Sequence, residues 1–261
     1  MKALILAAGF GTRLEQGFSN YMGDYRKQLQ EWVENKPKGL VLIRGKPIVS
    51  YLYEQITDAD IDKDQIFIQT NARYYEQYCH WAQSVGIPLS NVINNGVMRS
   101  EDRLESIWDL KFAFDKVVGY DDSLLILASD TLLFDDRENL FNIKSFVTKH
   151  AVDCISRLVV YRGEQSRLSR HGIVEVDDKG IIMGFQEKPA QPKTNIVNAS
   201  IYLYTSQALH LIRDNYFLVA QCGNMLEYLY KNTPIQVEFA SRRVDIGTID
   251  DVLEENLGKT Q

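Results

Sequence analysis

Short, almost unbroken apolar runs alternate with longer stretches of helical spacing through the first half of the chain. KALILAA (2–8), QIFIQT (65–70), NVINN (91–95) and SLLILASD (123–130) are of the first kind, the pattern of strands covered on both faces in a parallel sheet. Between them, KPIVSYLYEQIT reads as a helix opened by Pro47, and ARYYEQYCHWAQSVG as a helix stopped at Gly86. DRLESIWDLKFAFDK carries Leu104, Ile107, Trp108, Leu110 and Phe114 at helical intervals. This β-α-β rhythm predicts an α/β fold with a Rossmann-like, doubly wound sheet. Ligands in such folds sit at the carboxyl ends of the strands.

The second half changes character. AVDCISRLVVY (151–161), HGIVEVDDKGIIMGFQEK (171–188), NASIYLY (198–204) and IQVEFA (235–240) read as strands joined by turns and short helices, with Asp177-Asp178-Lys179-Gly180 as a hairpin turn. They predict antiparallel additions that make the sheet mixed. No linker, low-complexity tract or internal repeat interrupts the chain, so residues 1–261 are expected to form one domain. Residues 15–36 stand apart. Their middle, DYRKQLQEWVEN, is helical in composition, yet it separates a glycine loop from Pro37.

Composition narrows the possible chemistry. Of the 261 residues, 45% are hydrophobic and 25% charged, ordinary for a globular domain. A net charge of −6 without a basic cluster argues against general nucleic-acid binding. Anionic substrates would have to be held by a few placed cations. Cys79, Cys154 and Cys222 are odd in number and form no CxxC pair, which disfavours a disulfide framework or a zinc site. No run reaches membrane-spanning length and the amino-terminal one is too short for a signal segment; the expected location is cytoplasmic.

The first strand runs into Gly9-Phe10-Gly11-Thr12-Arg13. The third glycine of a dinucleotide fingerprint is absent, and no Gly-Lys-Ser/Thr follows to make a Walker loop. What remains is a loop of small residues, Ala7, Ala8, Gly9 and Gly11, that lets backbone amides approach a ligand, with Arg13 just beyond. By itself it could equally be a tight turn at a sheet edge.

Further motifs give the loop a context. LAAGFGTRL followed by KPKGLVLIRGKPIV resembles the signature of the sugar-phosphate nucleotidyltransferases. LASD (127–130), HGIVEVDDKGIIMGFQEKP with NIVNASIYLY, and VDIGTIDDVLEEN (244–256) are similar to later family segments in the same order. The resemblance implies Mg²⁺-dependent attack of a sugar 1-phosphate on the α-phosphorus of a nucleoside triphosphate, releasing pyrophosphate. Such a nucleophile is already an anion, so positioning and charge neutralisation carry the reaction, without a catalytic histidine. The four histidines form no ligand or triad pattern.

Carried over residue by residue, the resemblance makes Arg13 a triphosphate clamp and Lys38 the lysine reaching the α-phosphate, with Lys27 in RKQL as its rival. Leu6, Ala7, Ala8, Gly9, Gly11, Asn95 and Ser106 fall in the nucleotide-binding half, residues 1–135. Gly172, Glu187, Lys188 and Asn198 fall in the acceptor-binding half, residues 136–261. Asp130 and Asp245 are the implied Mg²⁺ carboxylates. The implied partners are small molecules, without nucleic acid or membrane, and a homo-oligomer is compatible with this reading.

Some positions depart from the family pattern. Ser129 replaces the glycine common before the first metal aspartate, and the interval from Arg13 to Lys38 is longer than usual. The aromatics in that interval, Phe18, Tyr21, Tyr25 and Trp32, are expected to pack their own segment rather than form a lid. The base-recognition region, NNGVMRSEDRLESIWDL, lacks the usual Gly-Leu-Ala-like turn and weakly resembles phosphocholine-type cytidylyltransferases. A phosphorylated alcohol or phosphonate is therefore the alternative acceptor. A nucleotide-sugar-binding subunit without turnover is a further alternative, disfavoured by the presence of Arg13, Lys38, Asp130 and Asp245.

Overall fold

The structure, a computed structural model, describes residues 1–102, 106–217 and 225–258, without the side chains of 106, 107, 117 and 118. Four parallel strands form the heart of the sheet: β1 (Lys2–Ala7), β4 (Ile66–Thr70), β5 (Val92–Asn94) and β6 (Leu124–Ala128), in the order β5-β4-β1-β6. The alternation along these strands splits their side chains between two cores. Ala3, Ile5, Ile66, Ile68, Leu125 and Leu127 enter one; Leu4, Phe67, Leu124 and Ile126 enter the other. Full burial of one such leucine or isoleucine stabilises the fold by roughly 1.5–3 kcal/mol. That is why these runs contain so few polar residues.

The helices read from the pattern fall close to their predicted places, and one not read from it comes directly after the glycine loop. α1 (Thr12–Asn20) and α2 (Arg26–Val33) follow the glycine loop; α3 (Ile48–Asp58) starts after Pro47. α4 (Tyr75–Val85) stops at Gly86, whose φ of 80° is the left-handed conformation that glycine supplies. α5 (Ser106–Ala113) carries Leu110 in the core, followed by buried Phe114, while Trp108 is 43% exposed. Leu104 lies outside the described residues. Two short strands, β2 (Leu42–Ile43) and β3 (Lys46–Pro47), form a separate small ribbon before α3.

The second half extends the sheet antiparallel, as expected. The long strand β11 (Ile196–Tyr204) pairs antiparallel with β6 through its last four residues. On its other side it pairs with β8 (Ser156–Arg162), which pairs in turn with β12 (Ile235–Phe239). β9 (Gly172–Val176) and β10 (Ile182–Glu187) form the predicted hairpin. Among the described residues this makes nine strands in one mixed sheet. β7 (Thr131–Phe134) and β13 (Arg242–Asp245), neither predicted, form a two-stranded ribbon beside it.

One element differs from expectation. Residues 151–153, read as the start of a strand, close helix α6 (Ile143–Asp153) instead. Asn142 caps that helix by accepting from the Ser145 N–H at 2.8 Å, and Phe146 and His150 face inward. The strand begins only at Ser156. The stretch from Glu15 to Lys36 is also more integrated than a separate insertion: Phe18, Leu29 and Val33 belong to the main core, and Tyr21 and Trp32 pack against it.

Candidate functional site

The strand order reverses between β1 and β6. After β5 the chain returns to the far side of β1, so the loops leaving β1 and β6 diverge around a crevice at their carboxyl ends. The two loops start together, because Leu6 pairs with Ala128 and the Ser129 N–H donates to the Leu6 carbonyl at 3.0 Å. The glycine loop and Asp130 therefore occupy the switch point of the sheet.

Neighbours fix the glycine loop from behind. Asn71, at the end of β4, donates to the Ala8 carbonyl at 2.9 Å, and the Tyr74 hydroxyl donates to the Phe10 carbonyl at 3.1 Å. Burial pushes the Tyr74 phenol up to about 12, so it remains a donor at neutral pH. Gly11 has a φ of 68° and precedes α1 without a side-chain cap, which leaves first-turn N–H groups available to an anion. At Gly9 a methyl group would meet nothing within 4 Å. Among the described residues nothing crowds that position, so the space over the loop is open.

Lys38 and Asp130 meet across the crevice at 2.8 Å, with their side chains 18% and 23% exposed. The rival Lys27 is exposed on α2. Pairing of β7 with β13 puts Asp245 opposite Thr131, and the Ile246 N–H donates to the Asp130 carbonyl at 3.1 Å. The two aspartates, 115 positions apart in sequence (245 − 130), are thus carried on adjacent backbone. Neither caps a helix; the cap of the helix Ile249–Leu257 is Thr248, with Asp251 completing a capping box. Arg13 is exposed and lies against Gly247, with Nη2 3.9 Å from where a Cβ would stand. Two carboxylates on adjacent backbone are of the kind Mg²⁺ uses, since it takes oxygen ligands and keeps waters alongside one or two carboxylates. No cluster of three or more metal-ligating side chains occurs among the described residues.

A cleft of about 1170 Å³ lies next to this point, lined by Leu6, Arg13, Gly172, Glu187, Lys188, Asn198 and Asp245, among others, but not by Lys38, Asp130 or the loop residues Ala7, Ala8, Gly9 and Gly11. Glu187 pairs with Gly172 across the β9–β10 hairpin, and Lys188 pairs with Glu187 at 3.0 Å. A side chain at 172 would run into the Phe185 ring at 2.7 Å. Asn198 stands at a bulge in β11. Its Oδ1 accepts from the Ser200 N–H and its Nδ2 donates to the Tyr202 hydroxyl, both at 2.8 Å.

Asn95 does not line this cleft. It follows β5, where its Nδ2 donates to Asp109 at 2.8 Å and its Oδ1 accepts from the Val97 N–H at 2.9 Å. Buried Gln69 also donates to Asp109, at 3.1 Å. Ser106 opens α5, its side chain lying outside the described residues. Burial raises the Asp109 carboxyl above its ordinary 3.8, opposed by the Asn95 hydrogen bond. A raised carboxyl favours the fold most when protonated, and that contribution fades as pH rises through the folded-state value. In thermal melts between pH 3.5 and 6.5, wild type should therefore gain on Asp109→Asn as pH falls. A gap between the two that stays constant across this range would contradict the burial effect.

The sequence reading missed Asn71, Tyr74, Asp109 and Arg243. Asn71 was the most accessible of them, as the polar end of a strand next in the sheet to β1. Arg243 has its side chain 8% exposed; its Nη2 lies 3.3 Å from Asp245 and donates to Thr131 at 3.2 Å. Close by, burial and then the charge of Arg243 hold the His171 imidazole below its ordinary range.

Comparisons with known proteins give the family and the fold. A family model described as nucleotidyl transferase matches residues 27–261, a span that begins after the glycine loop. A UTP–glucose-1-phosphate uridylyltransferase of Synechocystis is 26% identical over 217 residues, covering 81% of this chain and 51% of its own length. A uridylyltransferase of the same description from Haloferax volcanii is 23% identical, with 96% and 93% covered. The chain thus spans about half the length of the first relative and nearly all of the second. In fold, it superposes with a TM-score of 0.71 on a Bacillus anthracis protein described as a glucose-1-phosphate thymidylyltransferase, at 19% identity, with 100% and 96% of the two chains covered.

Proposed function

The chain belongs to the nucleotidyl transferase family, and on that premise we propose that it joins a nucleoside triphosphate to a sugar 1-phosphate, giving a nucleoside-diphosphate sugar and pyrophosphate. The observation that supports this reading is the Lys38–Asp130 pair at the switch point of the sheet, on backbone adjacent to that of Asp245, next to a cleft lined by Arg13, Asp245, Glu187, Lys188 and Asn198. Residues 1–135 are the nucleotide-binding half and 136–261 the acceptor half, with 15–36 as a packed insertion. Asp130 and Asp245 would hold Mg²⁺, which when bound neutralises charge on the phosphates.

The chain's own residues supply the rest. Backbone N–H groups of the loop and of the first turn of α1 receive triphosphate oxygens. Arg13, exposed and at the cleft, closes on the terminal phosphates and steadies the leaving pyrophosphate. Lys38, already beside Asp130, offers its ammonium to the α-phosphate. Glu187 takes a sugar hydroxyl and Lys188 the acceptor phosphate. No residue is asked to remove a proton, because the attacking oxygen is ionised at neutral pH.

Pyrophosphate release tests the proposal, with Mg²⁺ and each common nucleoside triphosphate against a panel of sugar 1-phosphates and phosphocholine. Release should require one triphosphate and one sugar 1-phosphate, and should stop when a chelator removes the metal. Phosphocholine as the sole acceptor would replace the sugar by a phosphorylated alcohol. Silence across the panel, with nucleotide binding retained, would point instead to a regulatory subunit.

A further inference from the structure

Arg243 is the buried cation for which the transfer reaction, as assigned so far, has no use. It stands two positions before Asp245 on β13, in the wall of the cleft that also contains Glu187, Lys188 and Asn198. Its surroundings leave it incompletely satisfied. Nη2 makes both polar contacts already described, to Asp245 and Thr131, while Nε has no hydrogen-bond partner among the described residues. Tyr161 is the other neighbour, with its ring centroid 6.0 Å from the guanidinium carbon and its hydroxyl in hydrogen-bonding reach of the group, and the charge of Asp130 lies further off. Burial of a guanidinium is costly unless both its charge and its N–H groups are met.

Arg157 provides the contrast within the same molecule. Its side chain is 4% exposed and its Nε is equally without a partner, but two carboxylates, Asp153 and Glu238, neutralise it. Arg157 stands behind the sheet extension, away from the cleft lining, and its role is structural. Arg243 is ion-paired with one carboxylate, 37% exposed, with Asp130 only a more distant charge, and it lines the cleft.

That one carboxylate has another task in the proposed reaction. With Asp245 committed to Mg²⁺, Arg243 would face a dication at short range, and like charges in a partly desolvated site repel strongly. An anion between them removes the conflict. The reaction brings one: in-line attack requires the acceptor phosphate to approach within about 3–3.5 Å of the α-phosphorus. This places that phosphate beside the carboxylates at the switch point. The guanidinium fork matches phosphate oxygens in two-pronged fashion. Lys188, already assigned to the same phosphate, is 65% exposed and paired with Glu187, so Arg243 would be a second, buried cation on that group.

We propose that Arg243 binds the phosphate of the acceptor through its guanidinium at the cleft wall, while Thr131 holds the group in orientation. This rests on the nucleotidyl-transfer reading of the cleft, but its test does not need turnover. The probe is inorganic phosphate, titrated calorimetrically into wild type, Arg243→Gln and Arg243→Lys. Each is also made in an Arg13→Ala background, so that phosphate bound at the triphosphate end does not mask the result. Arg243→Gln should weaken phosphate binding at least tenfold in both backgrounds, and Arg243→Lys, which keeps the charge but loses the fork, at least fivefold.

Melting curves accompany the titrations, and if the glutamine variant fails to fold the lysine variant decides. Phosphate affinity equal to wild type in a folded variant would overturn the proposal. So would a loss confined to a uronic acid 1-phosphate with inorganic phosphate unaffected, which would assign Arg243 to a carboxylate on the sugar. Once the substrates are known, Arg243→Gln should raise the acceptor KM at least tenfold and leave the KM for nucleotide unchanged. If instead no transfer is found while phosphate binding still depends on Arg243, the transfer reading fails and the anion site stands.

Discussion

Asp130→Ala should lower turnover about a thousandfold or more, a loss of roughly 4 kcal/mol in transition-state stabilisation, while the protein still folds. Asp130 leaves the end of β6 at the crevice, holds Lys38 at 2.8 Å, and shares adjacent backbone with Asp245. Removing its carboxylate takes away one of the two carboxylates proposed to hold the metal and releases the lysine proposed for the α-phosphate. The stability cost should be small, about 1 kcal/mol, because the freed Lys38 side chain is 18% exposed and its ammonium can turn to water. Asp130→Asn separates charge from scaffolding: it keeps an oxygen acceptor for Lys38 but no negative charge. Its turnover should be nearly as low as that of the alanine variant. The double change with Asp245→Ala should cost little more than either alone, since residues acting as one unit are not additive. Turnover undiminished in Asp130→Ala would remove the carboxylate from the mechanism.

Much of this site was legible in the sequence because its parts sit at the ends of strongly patterned strands. KALILAA and SLLILASD could only be central strands, so the polar residues that follow them had to emerge at the edge where ligands bind. Asp245 was harder. Its strand has four residues and a partner, β7, that follows directly on β6, so neither shows a run long enough to read. The family pattern around VDIGT, rather than periodicity, pointed to it. Helix α6 was obscured for another reason: AVDCISRLVVY is a continuous run in which a helix end and a strand start are separated only by Cys154-Ile155, and β-branched residues on both sides hide the change of period. Arg243 and Asp109 are side chains whose roles depend on contacts from distant segments, Thr131 and Asn95, and nothing local marks them.

The second large effect is expected at Gly39, beside Lys38. This glycine is buried in the short helical turn Lys38–Leu40, and a Cβ there would stand 2.6 Å from the Tyr78 hydroxyl, 3.0 Å from the Ser129 Cβ and 3.2 Å from the Ser129 carbonyl oxygen. Tyr78 is fully buried, so its ring has little freedom to move away, and Ser129 is held by its N–H on β1. Gly39→Ala should therefore push the turn off the end of β6, destabilising the protein by about 1–3 kcal/mol and lowering Tm by about 2–4 °C for each kcal/mol. The same displacement draws Lys38 away from Asp130, so turnover should fall beyond what the lost stability explains. Gly9→Ala is the control. With nothing within 4 Å of its Cβ, that variant should melt like wild type and lose only nucleotide affinity. Tyr78→Phe removes the closest clashing atom. Combined with Gly39→Ala, it should recover a substantial part of the lost Tm. Recovery without return of turnover would locate the remaining defect in the position of Lys38, whereas a Gly39→Ala protein that melts like wild type would refute the packing argument itself.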